Sequence, residues 1–179
     1  EIGACDWSSD VCSSDLAAST NRLTELQVVE AQDGQPVQRG FAYVAPGSHH
    51  LTLASEDGAY VCRLTQGERV NGHRPSVDVM FRSMVEVMGK RLVGVLLTGM
   101  GNDGARGLAQ MRDAGAYTLA QDEATSVVWG MPGEAVKLDG ACKVLPLHRI
   151  APVLVGWAQR GQGAGARGSG ASRAIGGEV

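Results

Sequence analysis

The residues with the clearest potential for chemistry lie in a glycine-rich turn, GMGNDG, at positions 99–104. A continuous apolar run precedes the turn at residues 92–98, and apolar residues at helical spacing follow it. The segment is therefore typical of a strand, a tight turn and a helix. Two kinds of site fit these residue types. The glycines could let the backbone approach a phosphate, and Asp103 could orient a histidine that activates a nucleophile.

The first interpretation is a dinucleotide-binding site. Gly99, Gly101 and Gly104 have the G-x-G-x-x-G spacing that brings a backbone close to a pyrophosphate at a helix N-terminus. Asp122 lies 18 residues beyond Gly104, near the end of the next predicted strand, where an acidic residue would bind a ribose. Asp103 opposes this interpretation, because its carboxylate would stand beside the phosphates. A nucleotide-binding α/β domain therefore remains an alternative.

The second interpretation concerns Asp103 itself. A carboxylate at a strand-to-helix turn can fix the tautomer of a catalytic histidine. An aspartate at the start of a helix can equally cap the free backbone N–H groups, which contributes about 1 kcal/mol. From residue types alone, the cap is the favoured interpretation of Asp103.

The elements around this turn alternate between strands and helices. The patterns predict strands at residues 26–30, 41–45, 92–98, 116–120 and 143–147, a β-hairpin over 51–64, and helices at 77–88, 105–114, 133–138 and 150–157. The strand at 92–98 is expected to be buried on both faces. Ser76 is expected to cap the start of the helix at 77–88. This order predicts a doubly wound, mostly parallel, Rossmann-like α/β sheet with a β-hairpin. Sites in such sheets lie at the carboxyl ends of strands, which indicates the loops after Thr98 and Ala120.

Composition excludes several classes of protein. The chain has 179 residues and a net charge of −3, which argues against a nucleic-acid partner. No apolar run approaches the roughly 18 residues of a membrane span, so no membrane insertion is expected. The cysteines at positions 5, 12, 62 and 142 lack metal-site spacing, and His49 and His50 fit a loop. We therefore expect reduced, buried thiols in a cytoplasmic protein, with no metal and no cofactor.

The two ends of the chain differ from its middle. Residues 1–16 look like translated sequencing-adapter DNA and are expected to be non-native or disordered. Residues 159–179 are rich in glycine, alanine and arginine, and such a tail cannot bury enough surface to offset its chain entropy. The folded part is therefore expected to span residues 17–158.

Over most of that part the chain resembles the catalytic domain of CheB-type chemotaxis protein-glutamate methylesterases. Five strings carry the resemblance in order: VEAQDG at 29–34, YVAPG at 43–47, HRPSVD at 73–78, LLTGMGNDG at 96–104, and AQDE at 120–123 with GMP at 130–132 and Ala135. The resemblance implies a doubly wound α/β fold. It also implies hydrolysis of glutamate methyl esters on chemoreceptors, with release of methanol, and deamidation of receptor glutamines.

The resemblance also implies a Ser-His-Asp triad, of which one member is present. Asp103 matches the triad carboxylate, and Met100 matches a residue whose backbone N–H helps to hold the oxyanion. Ser19 lacks the glycine pair of the family's nucleophile turn. His50 and His73 match positions downstream of the triad histidine, and His73 is expected in a loop near the site or near the receptor surface.

The family's serine and histidine precede the part of the chain that matches. We therefore expect a partial catalytic domain, incomplete at its N-terminal end, and inactive as printed. A non-catalytic fragment that binds receptors is the other alternative.

Overall fold

The computed structural model describes residues 10–22 and 25–165, with side chains over residues 13–22 and 25–159. The elements in chain order are α1 (Asp10–Asn21), β1 (Gln27–Glu30), β2 (Phe41–Val44), β3 (His50–Glu56), β4 (Ala59–Thr65), α2 (Val77–Met88), β5 (Val93–Leu96), α3 (Ala105–Asp113), β6 (Tyr117–Gln121), α4 (Met131–Lys137), β7 (Lys143–Leu145) and α5 (Leu147–Gly165).

The strands form parallel ladders and one antiparallel hairpin. β5, β6 and β7 make a three-stranded parallel sheet in that order, and α3 and α4 provide the two crossovers. β1 pairs with β2 in a second parallel ladder, and β3 pairs with β4 as the hairpin that the alternating sequence predicts. The predicted α/β class, mostly parallel with a β-hairpin, is confirmed.

The main core lies between α2, α3 and the three-stranded sheet. Leu108 and Met111 of α3 are fully buried and meet Phe81 of α2. α3 approaches β5 closely at Gly94, where a Cβ atom would lie 2.7 Å from a methyl carbon of Leu108. A Cβ atom at this position would therefore force the fully buried Leu108 and Met111 side chains to shift.

Three local predictions differ from the structure. β5 alternates between buried and half-buried residues, so it is not buried on both faces. His50 begins β3 and is 2% exposed, because its ring is held by the neighbouring loop. Cys62 is buried as expected, but Cys142 is exposed since β7 is the outer strand of its sheet.

Parts of both predicted end segments are helical in the structure. Helix α1 covers residues 10–21, and it packs on β1 through buried Ser13 and Ala17. The Asn21 side chain accepts a hydrogen bond from the Val28 amide at 2.8 Å, which joins α1 to β1. At the other end, α5 includes residues 159–165. Residues 1–9 and 166–179 of the two predicted end segments lie outside the described residues.

Candidate active site

A cavity of about 660 Å³ lies at the carboxyl end of β5, where the sequence places the site. The turn after β5 forms one side of it, and the loop between β4 and α2 forms the other. Its lining consists of Arg69, Gly72, His73, Arg74, Pro75, Val77, Thr98, Gly99, Met100, Asp103 and Met131. His73 lies in this second loop and lines the cavity.

Asp103 is buried at the base of this cavity, and its carboxylate accepts hydrogen bonds from the start of α2. Oδ1 accepts from the Ser76 hydroxyl at 2.7 Å and, more weakly, from the Asp78 amide at 3.4 Å. Oδ2 accepts from the Val77 amide at 2.7 Å. Asp103 therefore caps a helix, as its residue type suggests, but the helix is α2 rather than α3, which it precedes.

Asp78 makes the reciprocal contact. This aspartate in the first turn of α2 is buried, and its Oδ1 accepts from the Gly107 amide in the first turn of α3 at 2.6 Å. The Asn71 side-chain nitrogen donates to both carboxylates, at 2.7 Å to Asp78 Oδ2 and at 3.0 Å to Asp103 Oδ1. Asp103, which precedes α3, therefore accepts from the N-terminus of α2, and Asp78 of α2 accepts from the N-terminus of α3. The side-chain amide of Asn71 donates to both carboxylates and so joins them.

These contacts favour the ionised form of Asp103. Burial acts to raise the pKa of its carboxyl group, but hydrogen bonds from Ser76, Asn71 and the amides of Val77 and Asp78 outweigh burial and hold the pKa below its usual value. Among the described residues, Oδ1 has three donors and Oδ2 has one. Oδ2 therefore retains acceptor capacity for a further donor, such as the Nδ1–H group of a histidine.

Met100 lies at the rim of the same cavity, with 81% of its surface exposed. In the part of the chain that the structure describes, no hydrogen bond engages its backbone N–H. That donor is therefore available to a ligand in the cavity, as the oxyanion role requires.

The structure argues against a phosphate in the glycine turn. Gly99 donates to the carbonyl of Val128 at 3.0 Å, and its own carbonyl accepts from the amide of Met131 at 2.8 Å. A Cβ atom on Gly130 would lie 2.7 Å from the Gly99 carbonyl oxygen. The turn is therefore packed against the segment before α4, so its glycines serve close contact within the protein rather than contact with a pyrophosphate.

The other two groups that a dinucleotide would need, the N-terminus of α3 and Asp122, are engaged in contacts within the protein. Asp78 takes the Gly107 amide at the start of α3, where a phosphate would bind. Asp122 accepts from the amide and hydroxyl of Thr125 at 3.0 Å and 2.6 Å, so it stabilises its own loop. The alternative of a nucleotide-binding domain loses its physical basis.

Ser76 occupies the N-cap position of α2, but its side chain does not cap the helix as expected. Its hydroxyl donates to Asp103 instead, which takes over the cap. Its backbone N–H donates to His50 Nδ1 at 3.2 Å. His50, Ser76 and Asp103 therefore lie in a row, but the serine donates to the carboxylate rather than to the histidine and is only 2% exposed. This row cannot act as a nucleophilic triad.

No described histidine donates to the Asp103 carboxylate. His50 bonds the Glu68 carbonyl and the Ser76 amide, and His49 bonds Ser48. The hydroxyl of Ser19, the one serine considered as a nucleophile, donates to the carbonyl of Leu16 within α1. The structure thus brings together Asp103, Met100 and His73, and it leaves Ser19 on a separate helix.

Sequence reasoning missed Asn71 and Asp78, although both contact the site. The Asn71-Gly72 dipeptide is a strong turn signal, and it could have indicated a tight turn at this position. Nothing local distinguishes Asp78 from an ordinary acidic residue in the first turn of a helix. In the described residues, no helix is long and apolar enough to cross a membrane, and no cluster of three or more metal-ligating side chains is found.

Fold and site together define an α/β domain with a buried, ionised aspartate at the carboxyl edge of a parallel sheet, an arrangement that serine hydrolases use. The model of one family, CheB methylesterase, matches residues 8–154. The chain belongs to the CheB methylesterase family, which confirms the resemblance inferred from the five sequence strings.

Individual relatives agree with this assignment. Protein-glutamate methylesterase/protein-glutamine glutaminase 2 of Pseudomonas aeruginosa is 55% identical over 152 residues, which cover 85% of this chain and 43% of that protein. The protein of the same name from Saccharophagus degradans is 51% identical over 143 residues, covering 80% of this chain and 41% of that protein. The crystal structure of the Thermotoga maritima CheB methylesterase catalytic domain superposes with a TM-score of 0.79 at 35% identity, covering 81% of this chain and 77% of that one. The chain thus spans about two fifths of the length of these curated relatives.

Proposed function

We propose that this chain is part of a protein-glutamate methylesterase that hydrolyses glutamate methyl esters on methyl-accepting chemoreceptors in the cytoplasm. The same site would deamidate receptor glutamines, as the names of the relatives indicate for those proteins. The observation that carries the proposal is Asp103, which is buried and ionised and keeps acceptor capacity on Oδ2 at the base of an open cavity.

In the proposed reaction a serine hydroxyl attacks the ester carbonyl while a histidine accepts its proton. The histidine then returns that proton to the leaving methoxide, so that methanol departs and an acyl-enzyme remains. Water, activated by the same histidine, hydrolyses the acyl-enzyme and yields the glutamate carboxylate. No cofactor enters these steps.

Two described residues have roles in this reaction. Asp103 accepts the Nδ1–H of the histidine on Oδ2, which fixes the tautomer and stabilises the imidazolium that forms. The Met100 amide donates to the oxyanion that develops on the ester carbonyl, which is why its free N–H at the rim of the cavity supports the proposal.

The described residues supply neither the serine nor the histidine of this triad. We therefore propose that the 179-residue chain by itself binds substrate without turning it over, and that a longer form of the enzyme supplies both groups. Loss of a triad nucleophile leaves only residual catalysis, lower by orders of magnitude.

Methanol release from a methylated receptor fragment tests the proposal. The longer enzyme is expected to release one methanol per ester hydrolysed, and the 179-residue chain none above background. Receptor fragments with glutamine in place of methylated glutamate provide the second arm, in which ammonia is measured. Failure of the longer enzyme to release methanol would refute the proposed activity, and rapid release by the 179-residue chain would refute the assignment of the missing groups.

A further inference from the structure

The loop between β4 and α2 folds into a short hairpin at the edge of the cavity. Val70 and His73 exchange both backbone hydrogen bonds, at 3.0 Å and 2.9 Å. Asn71 and Gly72 occupy the turn with φ of 54° and 82°. Positive φ at both central residues is the geometry of the tightest hairpin turns, for which Asn-Gly is the preferred sequence. We call residues 69–74 the basic hairpin, because an arginine lies at each of its ends.

Arg69 and Arg74 flank the bridged residues of this basic hairpin. Each directly adjoins one residue of the bridge between residues 70 and 73, and both line the cavity. Two cationic side chains in the lining of one cavity attract an anionic ligand. The basic hairpin therefore favours an anion beside the two guanidinium groups.

No carboxylate in the described part of the chain forms an ion pair with either arginine. The ion pairs found there involve Arg63, Arg112 and Lys137. Arg69 donates to the Gly72 carbonyl at 3.4 Å, and Arg74 donates to the carbonyls of Gly67 at 3.1 Å and Gln66 at 3.4 Å. A guanidinium group has five N–H donors, so most of them stay free for a ligand.

The cavity is therefore positive on one wall although the whole chain has a net charge of −3. Asp103 is the one carboxylate among the lining residues, and it is buried and bound to four donors. Its one negative charge offsets only one of the two arginines, so the charged side chains of the lining keep an excess of positive charge.

The basic hairpin is also fixed relative to the site. Its turn residue Asn71 donates to Asp78 and to Asp103, so the loop is attached to the carboxylate that the reaction uses. The loop that carries the two arginines is thereby attached to the candidate site.

We propose that the basic hairpin binds carboxylates flanking the methyl ester, so that the enzyme selects glutamate esters within acidic peptide segments. This inference rests on the proposed function, since it describes the substrate of that site. Because the ester itself is neutral, the hairpin binds the neighbouring carboxylate side chains rather than the reacting group.

Two peptides of equal length test the proposal, each with one glutamate γ-methyl ester. Glutamates flank the ester in the first peptide, and glutamines flank it in the second. Binding to the 179-residue chain is measured by fluorescence anisotropy at low and at physiological salt. The glutamate peptide is expected to bind more tightly, and Arg69→Gln and Arg74→Gln are each expected to weaken its binding about three- to fivefold. The double variant should lose roughly tenfold, and affinity for the glutamine peptide should not change.

Arg82→Gln is the matched control, because Arg82 is exposed on α2 and does not line the cavity. Equal affinity of the unaltered chain for both peptides overturns the proposal. The same holds if the arginine variants weaken both peptides equally, or if neither peptide binds at millimolar concentration.

Hydrolysis by the longer enzyme separates this inference from the proposed function. Methanol release from both peptides without a preference that depends on Arg69 and Arg74 leaves the function intact and refutes the hairpin assignment. Selective binding of the glutamate peptide without any methanol release would support the hairpin assignment and refute the proposed function.

Discussion

Replacing Asp103 with alanine removes the shared acceptor at the start of α2 and should lower stability far more than an ordinary aspartate substitution. Loss of a helix cap costs about 1 kcal/mol. The buried Ser76 hydroxyl also loses its acceptor, and a buried donor without a partner costs about 1–3 kcal/mol. Together these contributions predict a loss of about 2–4 kcal/mol in the free energy of unfolding. At roughly 2–4 °C per kcal/mol, Tm should fall by about 4–16 °C.

Urea unfolding of the 179-residue chain, followed by circular dichroism, measures this loss. Asp113→Ala is the control, because Asp113 is an exposed carboxylate at the opposite end of α3 and should change stability by less than about 0.5 kcal/mol. If Asp103→Ala were no more destabilising than Asp113→Ala, the carboxylate could not be the acceptor that joins α2 to the glycine turn.

Two further predictions concern the same network, and a third concerns the glycine turn beside it. Asn71→Gly keeps the positive φ of the turn but removes the amide bridge, so it should raise the pKa of Asp103 and cost about 1–2 kcal/mol in urea unfolding, and an unchanged stability would contradict the bridge. Because the folded-state pKa of Asp103 is lowered, its contribution to stability is complete above the unfolded value near 4 and is lost as pH falls through the folded value. Unfolding measured from pH 5 to pH 2 should therefore be less acid-sensitive in Asp103→Asn than in the unaltered chain, and equal slopes would refute this coupling. Gly130→Ala would place a Cβ atom 2.7 Å from the Gly99 carbonyl oxygen and should cost about 1–3 kcal/mol, whereas Gly67→Ala, with its nearest neighbour at 3.8 Å, should be close to neutral in thermal unfolding. Equal effects of the two alanines would show that the glycine turn is not packed as described.

The sequence predicts the elements well where a local pattern determines them. Helix α2 and the hairpin of β3 and β4 agree with their periodicity, and the turn with Asp103 lies at the carboxyl end of β5 as expected. These features depend on side-chain spacing and turn chemistry within a few residues.

The contacts of Asp103 could not be predicted in the same way. Asn71 lies 32 residues away in the chain and Ser76 lies 27 residues away, and both reach the carboxylate only because α2 packs on α3. Local rules assign the cap of α2 to Ser76, but the tertiary contact supplies a stronger, charged acceptor. In the sequence, Gly99 belongs to a turn typical of phosphate binding, and Gly130 is an isolated glycine. Their contact becomes visible only in the folded chain.

The claim that Asp103 serves the chemistry is tested most directly by methanol release in the longer enzyme with Asp103→Asn. This substitution keeps the size of the side chain and removes its charge. The account predicts that kcat falls by about 10⁴-fold, as it does when the carboxylate behind a base histidine is neutralised, with KM little changed. Asp113→Asn should leave kcat at the unaltered value. A folded Asp103→Asn enzyme with full methanol release would contradict the catalytic role and reduce Asp103 to the cap of α2.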